Sequence, residues 1–480
     1  MARGKLEFLS RDEIERIHGT SVRVLEEVGV SILSPVVSQA LVDAGAERSG
    51  DGKRVLLPES MVKAALSNTP KSIVLASRDG KNDLTIPSGR LYAANGGEGV
   101  HIKDMVTGAS RPASSRDLKD FAILVDQLPQ VDFFWPMVGA LEQPVKLKGM
   151  VELDVSLRHT TKHVQAMATG FDEARHMVEM ASLLTGGPDA LAKRPIISAI
   201  ECPISPLTFE KGLVEGQFEL SRAGVPVVAM AAAVAGLTSP VTIAGTAAQV
   251  NAENLASLVI SQTARKGAPF IYSSDSCPGD LQSGSIDYAA LEAPLMRTAA
   301  GQMGRRYGLP TMVTGLGLES LSTAIANPWE GVPHISLQAA VPSDLGSGFG
   351  GVDQAVGASF EQLVADAWVW EVARELIREF DADDDAISFE TIRDAGLDGK
   401  FLGKRHTATR FKKEFISIRQ PAAAAATRAR DQERGGLLKK AKKEVEVLLR
   451  REGQVVSKDE DRAMSDLMKR IRKGAGTGHG

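Results

Sequence analysis

Eight short apolar runs recur along the middle of the chain, and their spacing constrains the fold more than any other feature. They begin at Leu91, Phe133, His163, Pro195, Val225, Pro269, Pro310 and Pro342, separated by 42, 30, 32, 30, 44, 41 and 32 residues. Helix-period stretches lie between them, over 172–184, 210–222, 247–266, 288–307 and 362–380. Eight strand–helix units at this period are what a (β/α)8 barrel requires. A doubly wound open sheet also alternates strand and helix. The first strand–helix junction, Ala94-Asn95-Gly96-Gly97-Glu98-Gly99, is not a GxGxxG fingerprint, however, and the chain has no Walker sequence. The expected class is therefore α/β, a TIM barrel over residues 91–384.

What flanks the barrel reads differently. Residues 1–90 predict an α+β cap. Ser10 and Glu13 form a capping-box pattern ahead of the stripe Ile14, Ile17, Val22, Val24, Leu25 and Val28, which Gly29 ends. Helices are expected over 35–43 and 58–67, with strand-like runs at 54–57 and 73–76. Residues 385–480 predict a C-terminal extension with a charged helical tail. Its basic run, Lys439–Lys443, reads as a solvated helix face.

Composition removes several classes of function. There are 56 Lys plus Arg against 60 Asp plus Glu, a net charge of −4, which argues against a globally basic nucleic-acid binder. Two cysteines, Cys202 and Cys277, exclude a disulfide framework and a cysteine-only zinc site. The longest apolar stretch, Val225–Leu237, is too short to span a bilayer, and no signal-peptide core precedes the cap. The expectation is a cytoplasmic protein with no membrane or nucleic-acid partner.

In a barrel of this kind the C-terminal ends of the strands form the active face. Those ends offer Trp135, Gln165, Glu201, Tyr272, Asp275, Thr314, Glu319 and Phe349, with His334 in a following loop. The set lacks the imidazole cluster of a metal hydrolase, so no metal is expected. No lysine stands at a strand end, which disfavours a Schiff-base aldolase. Aromatic faces combined with carboxylates suit a quaternary ammonium, which donates no hydrogen bonds and is held by cation–π attraction. The glycine-rich end of the last strand, Gly346, Ser347, Gly348 and Gly350, reads either as a phosphate or carboxylate loop or as close packing of the closing strand. No residue is assigned as a general acid or base.

The order of longer segments carries a resemblance. They are LSRDEIERIHGTSVRVLEEVGV, RVLLPESMVKAALSNTPKSIVLASRD, VTGASRPASSRDLKDFAILVDQLPQV, SPLTF, LTSPVTIAGTAAQVNAENLASLVI, ASFEQLVADAWVWEVAREL and KFLGKRHTATRFKKEF. Together they resemble the trimethylamine methyltransferase family over nearly the whole chain. The trimethylamine enzymes carry pyrrolysine just after the seventh strand. Here Gly315–Ser322 has an ordinary residue at or near Leu321. The chain is therefore similar to the non-pyrrolysine branch, whose members demethylate glycine betaine and related quaternary amines. That resemblance implies a methyltransferase that binds no cofactor directly and passes the methyl group to a corrinoid (cobalamin) carried by a partner protein. It also implies a homo-oligomer. The competing reading is a barrel that binds a methylamine or the corrinoid protein without turnover.

Overall fold

The computed structural model describes residues 7–317, 335, 337–338, 340–341, 343–378, 380–415, 436–451 and 453–475. Seven parallel strands form one sheet: β1 (Tyr92–Asn95), β2 (Val164–Ala166), β3 (Ile197–Glu201), β4 (Val227–Ala231), β5 (Phe270–Ser274), β6 (Thr311–Val313) and β7 (Leu345–Phe349). From β2 to β7 each strand pairs with the next in sequence, and β7 returns to pair with β1. The gap between β1 and β2 is filled by the second apolar run. Phe133 bridges to Ala94 and Phe134 bridges to Val164, both in parallel sense, so the ring closes. The fold is a (β/α)8 barrel with one wall reduced to bridges.

The second run falls short of a strand because Pro136 follows Trp135 immediately and removes a ladder donor. Side chains do the remaining joining. Asn95 Nδ2 donates to the carbonyls of Trp135 and, at 2.5 Å, of Gly96, while its Oδ1 accepts from Trp135 N at 3.3 Å. Lys162 fixes the approach to this wall. Its buried ammonium donates to the carbonyls of Val125, Leu128 and Val131 at 2.5–2.8 Å, and burial lowers its pKa to about 8.

Around the strands stand α4 (Ser115–Gln127), α5 (Val145–His159), α6 (Phe171–Thr185), α7 (Lys211–Ala223), α8 (Ile243–Ala264), α9 (Ala293–Arg306) and α10 (Phe360–Ala373). The N-terminal segment adds α1 (Arg11–Arg23), α2 (Pro35–Asp43) and α3 (Glu59–Asn68). Ser10 and Glu13 make the expected capping box. The helix continues as a π turn to Val28, and Gly29 at φ 75° ends it. These helices cover α8, which is why nearly every α8 residue from Thr246 to Ser261 is buried. An antiparallel hairpin, Ile73–Leu75 with Leu84–Ile86, closes the barrel floor, sharing one apolar cluster with Ile200, Val228, Ile271, Met312 and Leu345.

Two further helices return after the barrel. In α11 (Gly436–Leu448), Leu437, Leu438, Ala441 and Val445 are buried against α10 and α4, which leaves the lysines of the basic run on the other face. In α12 (Lys458–Gly474), Met464, Leu467, Met468 and Ile471 are buried against α5 and α6.

Removing the Asn95 amide leaves buried backbone groups of the second run unpaired. An Asn95→Ala variant should lose about 2–3 kcal/mol of stability. A loss of less than about 0.5 kcal/mol in the free energy of urea unfolding would show that closure does not depend on this side chain.

Candidate active site

Strand register decides which predicted residues reach the lumen. Partners across a parallel ladder share a face, and successive residues alternate. Gln165 pairs with Ser198, Ile200 with Val228, Met230 with Ser273, and Ser273 with Met312. These belong to the interior set that includes Trp135, Met167 and Cys202. Gln165 is fully buried, and Trp135 retains 7% exposure. Phe134 pairs beside Val164, so Trp135 and Gln165 follow as neighbours on the lumen wall. The Trp135 ring lies on Gly97, where a Cβ would stand 2.3 Å from it. Only glycine leaves room for the ring there.

Three polar groups in this lumen have no hydrogen-bond partner among the described residues: both amide atoms of Gln165, Trp135 Nε1 and Ser273 Oγ. Buried polar atoms are otherwise almost always satisfied, so orphans on both sides of one lumen mark it as the candidate place for something polar that fits inside it.

Above β5 and β6 sits a charged cluster. Thr314 Oγ1 donates to Asp275 Oδ1, and Arg297 Nη2 of α9 lies 3.2 Å from the same oxygen. The Tyr288 hydroxyl also bonds Asp275, and the adjacent carboxylate, together with burial, raises its pKa. The Arg297 guanidinium stands 5.5 Å over the Tyr288 ring and presses on Gly315, whose φ is 81°. Asp275 is thus a carboxylate with its charge already matched. Arg297 and Tyr288 were not singled out in the sequence. The sequence carries no local signal for them: Tyr288 precedes α9, and Arg297 lies beyond its first turn.

Several expected site residues are turned elsewhere. Tyr272 pairs with Ala229 and Thr311 and faces the helix layer. Its hydroxyl donates to Asn251 of α8 at 3.1 Å, and Asn251 in turn meets Tyr307, which His18 of the cap contacts at 2.9 Å. Phe349 is wholly buried outside the ring against Trp370, 6.3 Å between centroids, because the bulge between Ser347 and Phe349 keeps it beside outward-facing Asn95. Glu201 pairs with Ala229 and faces α8 rather than the mouth. Burial, then Glu253 and Glu210, push its pKa up to about 8, and neither of its oxygens has a partner among the described residues. Glu319, His334 and the loop around Leu321 lie outside the described residues.

The glycine-rich end of β7 resolves toward packing. A Cβ at Gly346 would meet Leu316 at 2.4 Å, and one at Gly348 would stand 2.9–3.3 Å from the amides of 315–317. Gly350 N donates to the buried carboxylate of Asp366 at 2.8 Å. An anion there would face Asp366, so the loop is not an anion cradle. Ser347 alone of this stretch points inward, paired with Ala94.

At the other side of the mouth, Lys148 bridges Glu98 at 3.2 Å and Glu152 at 2.9 Å. Burial, reinforced by Glu98, raises Glu152 to about 7. Burial also raises both thiols, Cys277 to about 12, which leaves them protonated and unreactive. Among the described residues no group of three or more His, Cys, Asp or Glu is arranged to hold a metal ion. None of the described helices is long and apolar enough to cross a membrane.

With this geometry in view, the family model for trimethylamine methyltransferase matches residues 2–476. The chain belongs to the trimethylamine methyltransferase family. It is 28% identical over 398 residues to the trimethylamine methyltransferase MttB of Desulfitobacterium hafniense DCB-2, covering 83% of this chain and 80% of that protein. It is 25% identical over 425 residues to the glycine betaine methyltransferase of Desulfitobacterium hafniense Y51, covering 86% of each. The crystal structure of the Methanosarcina barkeri monomethylamine methyltransferase superposes with a TM-score of 0.52 at 13% identity, covering 93% of this chain and 89% of that one. That structural likeness shows the fold. As a family member, the chain is a methyltransferase.

Glu201 supplies a pH prediction. A carboxyl whose pKa is raised in the folded state stays protonated there while the unfolded chain ionises, so its presence costs stability progressively from about pH 4.5 up to about pH 8. Glu201→Gln should therefore raise the melting temperature at pH 8, by up to a few kcal/mol in stability, with the gain vanishing near pH 4.5. Because the side chain points away from the lumen, activity should be retained. A gain independent of pH would contradict the raised pKa.

Proposed function

We propose that the protein moves a methyl group from a quaternary amine, glycine betaine or a related compound, to the cobalt(I) of a corrinoid carried by a partner protein. The observation that carries this reading is the lumen wall itself. Trp135 offers an aromatic surface to a permanent cation, worth on the order of 1–2 kcal/mol when desolvated. The neighbouring Gln165 Nε2 and Trp135 Nε1, and Ser273 Oγ across the ring, have no partner among the described residues and match an acceptor group on the same small molecule. The thioethers of Met167 and Met230 complete an adaptable apolar lining.

The chemistry is an in-line displacement. The cobalt(I) electron pair attacks the methyl carbon, a Co–C bond forms, and the C–N pair stays on nitrogen as a neutral tertiary amine leaves. No proton moves, so the absence of an assigned acid or base is no obstacle. The work of the barrel is orientation and exclusion of water. Positive charge on nitrogen fades as the bond breaks, so a bare carboxylate against the cation would stabilise the ground state more than the transition state. Asp275, matched by Arg297, Thr314 and Tyr288, avoids that penalty while keeping the mouth polar.

The family relatives include enzymes named for trimethylamine and for glycine betaine. The quaternary reading is favoured because this sequence has an ordinary residue where the trimethylamine enzymes carry pyrrolysine. A tertiary amine is also a poor methyl donor unless protonated.

The test is methylcobalamin formation from cob(I)alamin with glycine betaine, carnitine, choline, proline betaine and trimethylamine compared side by side. A quaternary amine should be the best donor, and Trp135→Leu should lower kcat/KM for it about 5- to 30-fold while its far-UV spectrum stays native. Trimethylamine as the best donor would overturn the substrate class. Binding of a quaternary amine with no product from any of them would instead support a barrel without turnover.

A further inference from the structure

A cavity that the barrel chemistry does not use lies in the N-terminal segment. Val30 and Val55 pair through two backbone hydrogen bonds, at 2.9 and 2.8 Å, and beyond that bridge their strands part. Ser31–Ile32 goes on to pair with Thr208–Phe209, whereas Val55–Leu56 pairs back with Glu47–Arg48. The start of α2 lines the opening through Pro35 and Ser38, and the resulting cleft has a volume of about 310 Å³. Small-molecule sites span roughly 300–1,000 Å³.

The charge of this cleft has one sign. Arg48, Lys53 and Arg54 line it, and no lining residue is acidic. None of the three cations makes an ion pair among the described residues. The nearby acids are engaged elsewhere. Asp51, the carboxylate closest to Lys53 and Arg54, accepts from Ser49 Oγ at 2.6 Å and from the Lys53 amide at 3.1 Å. Asp43 accepts from Gln39 Nε2 at 2.8 Å, which leaves Gln39 Oε1 for Arg48 Nη2 at 3.0 Å. Arg48 Nη1 donates to the buried Ser38 Oγ at 3.3 Å. The guanidinium is therefore held against α2 by two neutral acceptors, with its charge left unmatched.

The rest of the lining is apolar. Ile32 and Val55 are buried, and Leu33 stands at the lip with 51% exposure. A cleft of one charge sign with low-dielectric walls focuses its field on a counter-ion. Guanidinium forks match the oxygens of a phosphate in two-point contacts. A bare phosphate would leave most of the cleft and its apolar side unfilled, so the fitting ligand carries an organic body as well.

We propose that this cleft binds a small organic phosphate, with the phosphate on Arg48, Lys53 and Arg54 and the organic body against Ile32, Leu33 and Val55. The cleft shares no residue with the lumen, and the proposal does not depend on the methyl-transfer reading. Titration calorimetry of the full chain at about 0.1 M salt, with AMP, ribose 5-phosphate, inorganic phosphate, adenosine and ribose, tests it without amine or corrinoid. At least one of the two organic phosphates should bind with a dissociation constant below about 1 mM, about fivefold or more tighter than inorganic phosphate, and its phosphate-free counterpart should not saturate. Lys53→Gln/Arg54→Gln and, separately, Leu33→Asp, which sets a carboxylate at the lip, should each weaken that ligand about tenfold or more with the far-UV spectrum native. Lys458→Gln/Lys469→Gln on α12, an equal change in net charge, should leave affinity within about twofold. No binding of either organic phosphate up to about 5 mM would overturn the proposal. So would affinity no better than that of inorganic phosphate, or equal losses in the cleft and α12 variants.

Discussion

The parallel register of the barrel strands is the constraint on which the rest of this structure depends. Because side chains alternate along each strand and matched residues share a face, one pairing sets the orientation of every residue around the ring. Ala229 beside Tyr272 and Glu201 sends both toward the helices, while Met230 beside Ser273 sends that pair inward. The active face is therefore assembled from residues that adjoin each other across strands, and proximity to a strand end in sequence is not enough.

The lumen and the helix layer consequently handle polarity in different ways. Outward polar groups are satisfied in chains, such as Tyr272 to Asn251 to Tyr307 to His18, which tie barrel to cap. At the floor, His163 joins Ser198 at 2.9 Å and Ala76 of the cap at 3.2 Å, and burial lowers its pKa to about 4, so it serves as a neutral strut. Gln165, two residues beyond His163, and Trp135 and Ser273 are left without partners among the described residues. Satisfaction at the floor and want of partners above it is the pattern of a site that a small molecule completes.

Much of the fold was legible because periodicity reports burial directly. The strand runs, the capping box at Ser10 and the helices after each strand needed only local rules, and the glycine-rich eighth run did form β7. The second run kept its place in the ring but lost its ladder to Pro136, a cost visible in the sequence once the position is known. The site was less legible. Trp135, Gln165, Asp275 and Thr314 stand on or above the lumen wall, whereas Tyr272, Phe349 and Glu201 are one residue out of phase with it. A strand end read from one sequence fixes which residues are near the mouth, and only the cross-strand pairing fixes which way they point. Arg297 and Tyr288 reach the cluster through tertiary folding of the segment after β5, which leaves no periodic trace.

The central property of the lumen wall is recognition of a small cation together with an acceptor group. Titration calorimetry with glycine betaine and choline, on the wild type and Gln165→Leu, measures this most directly. Loss of the Gln165 amide should weaken glycine betaine at least tenfold and leave choline, which lacks the carboxylate, within about twofold. Equal affinities for glycine betaine in the two proteins would contradict a substrate seated against this wall.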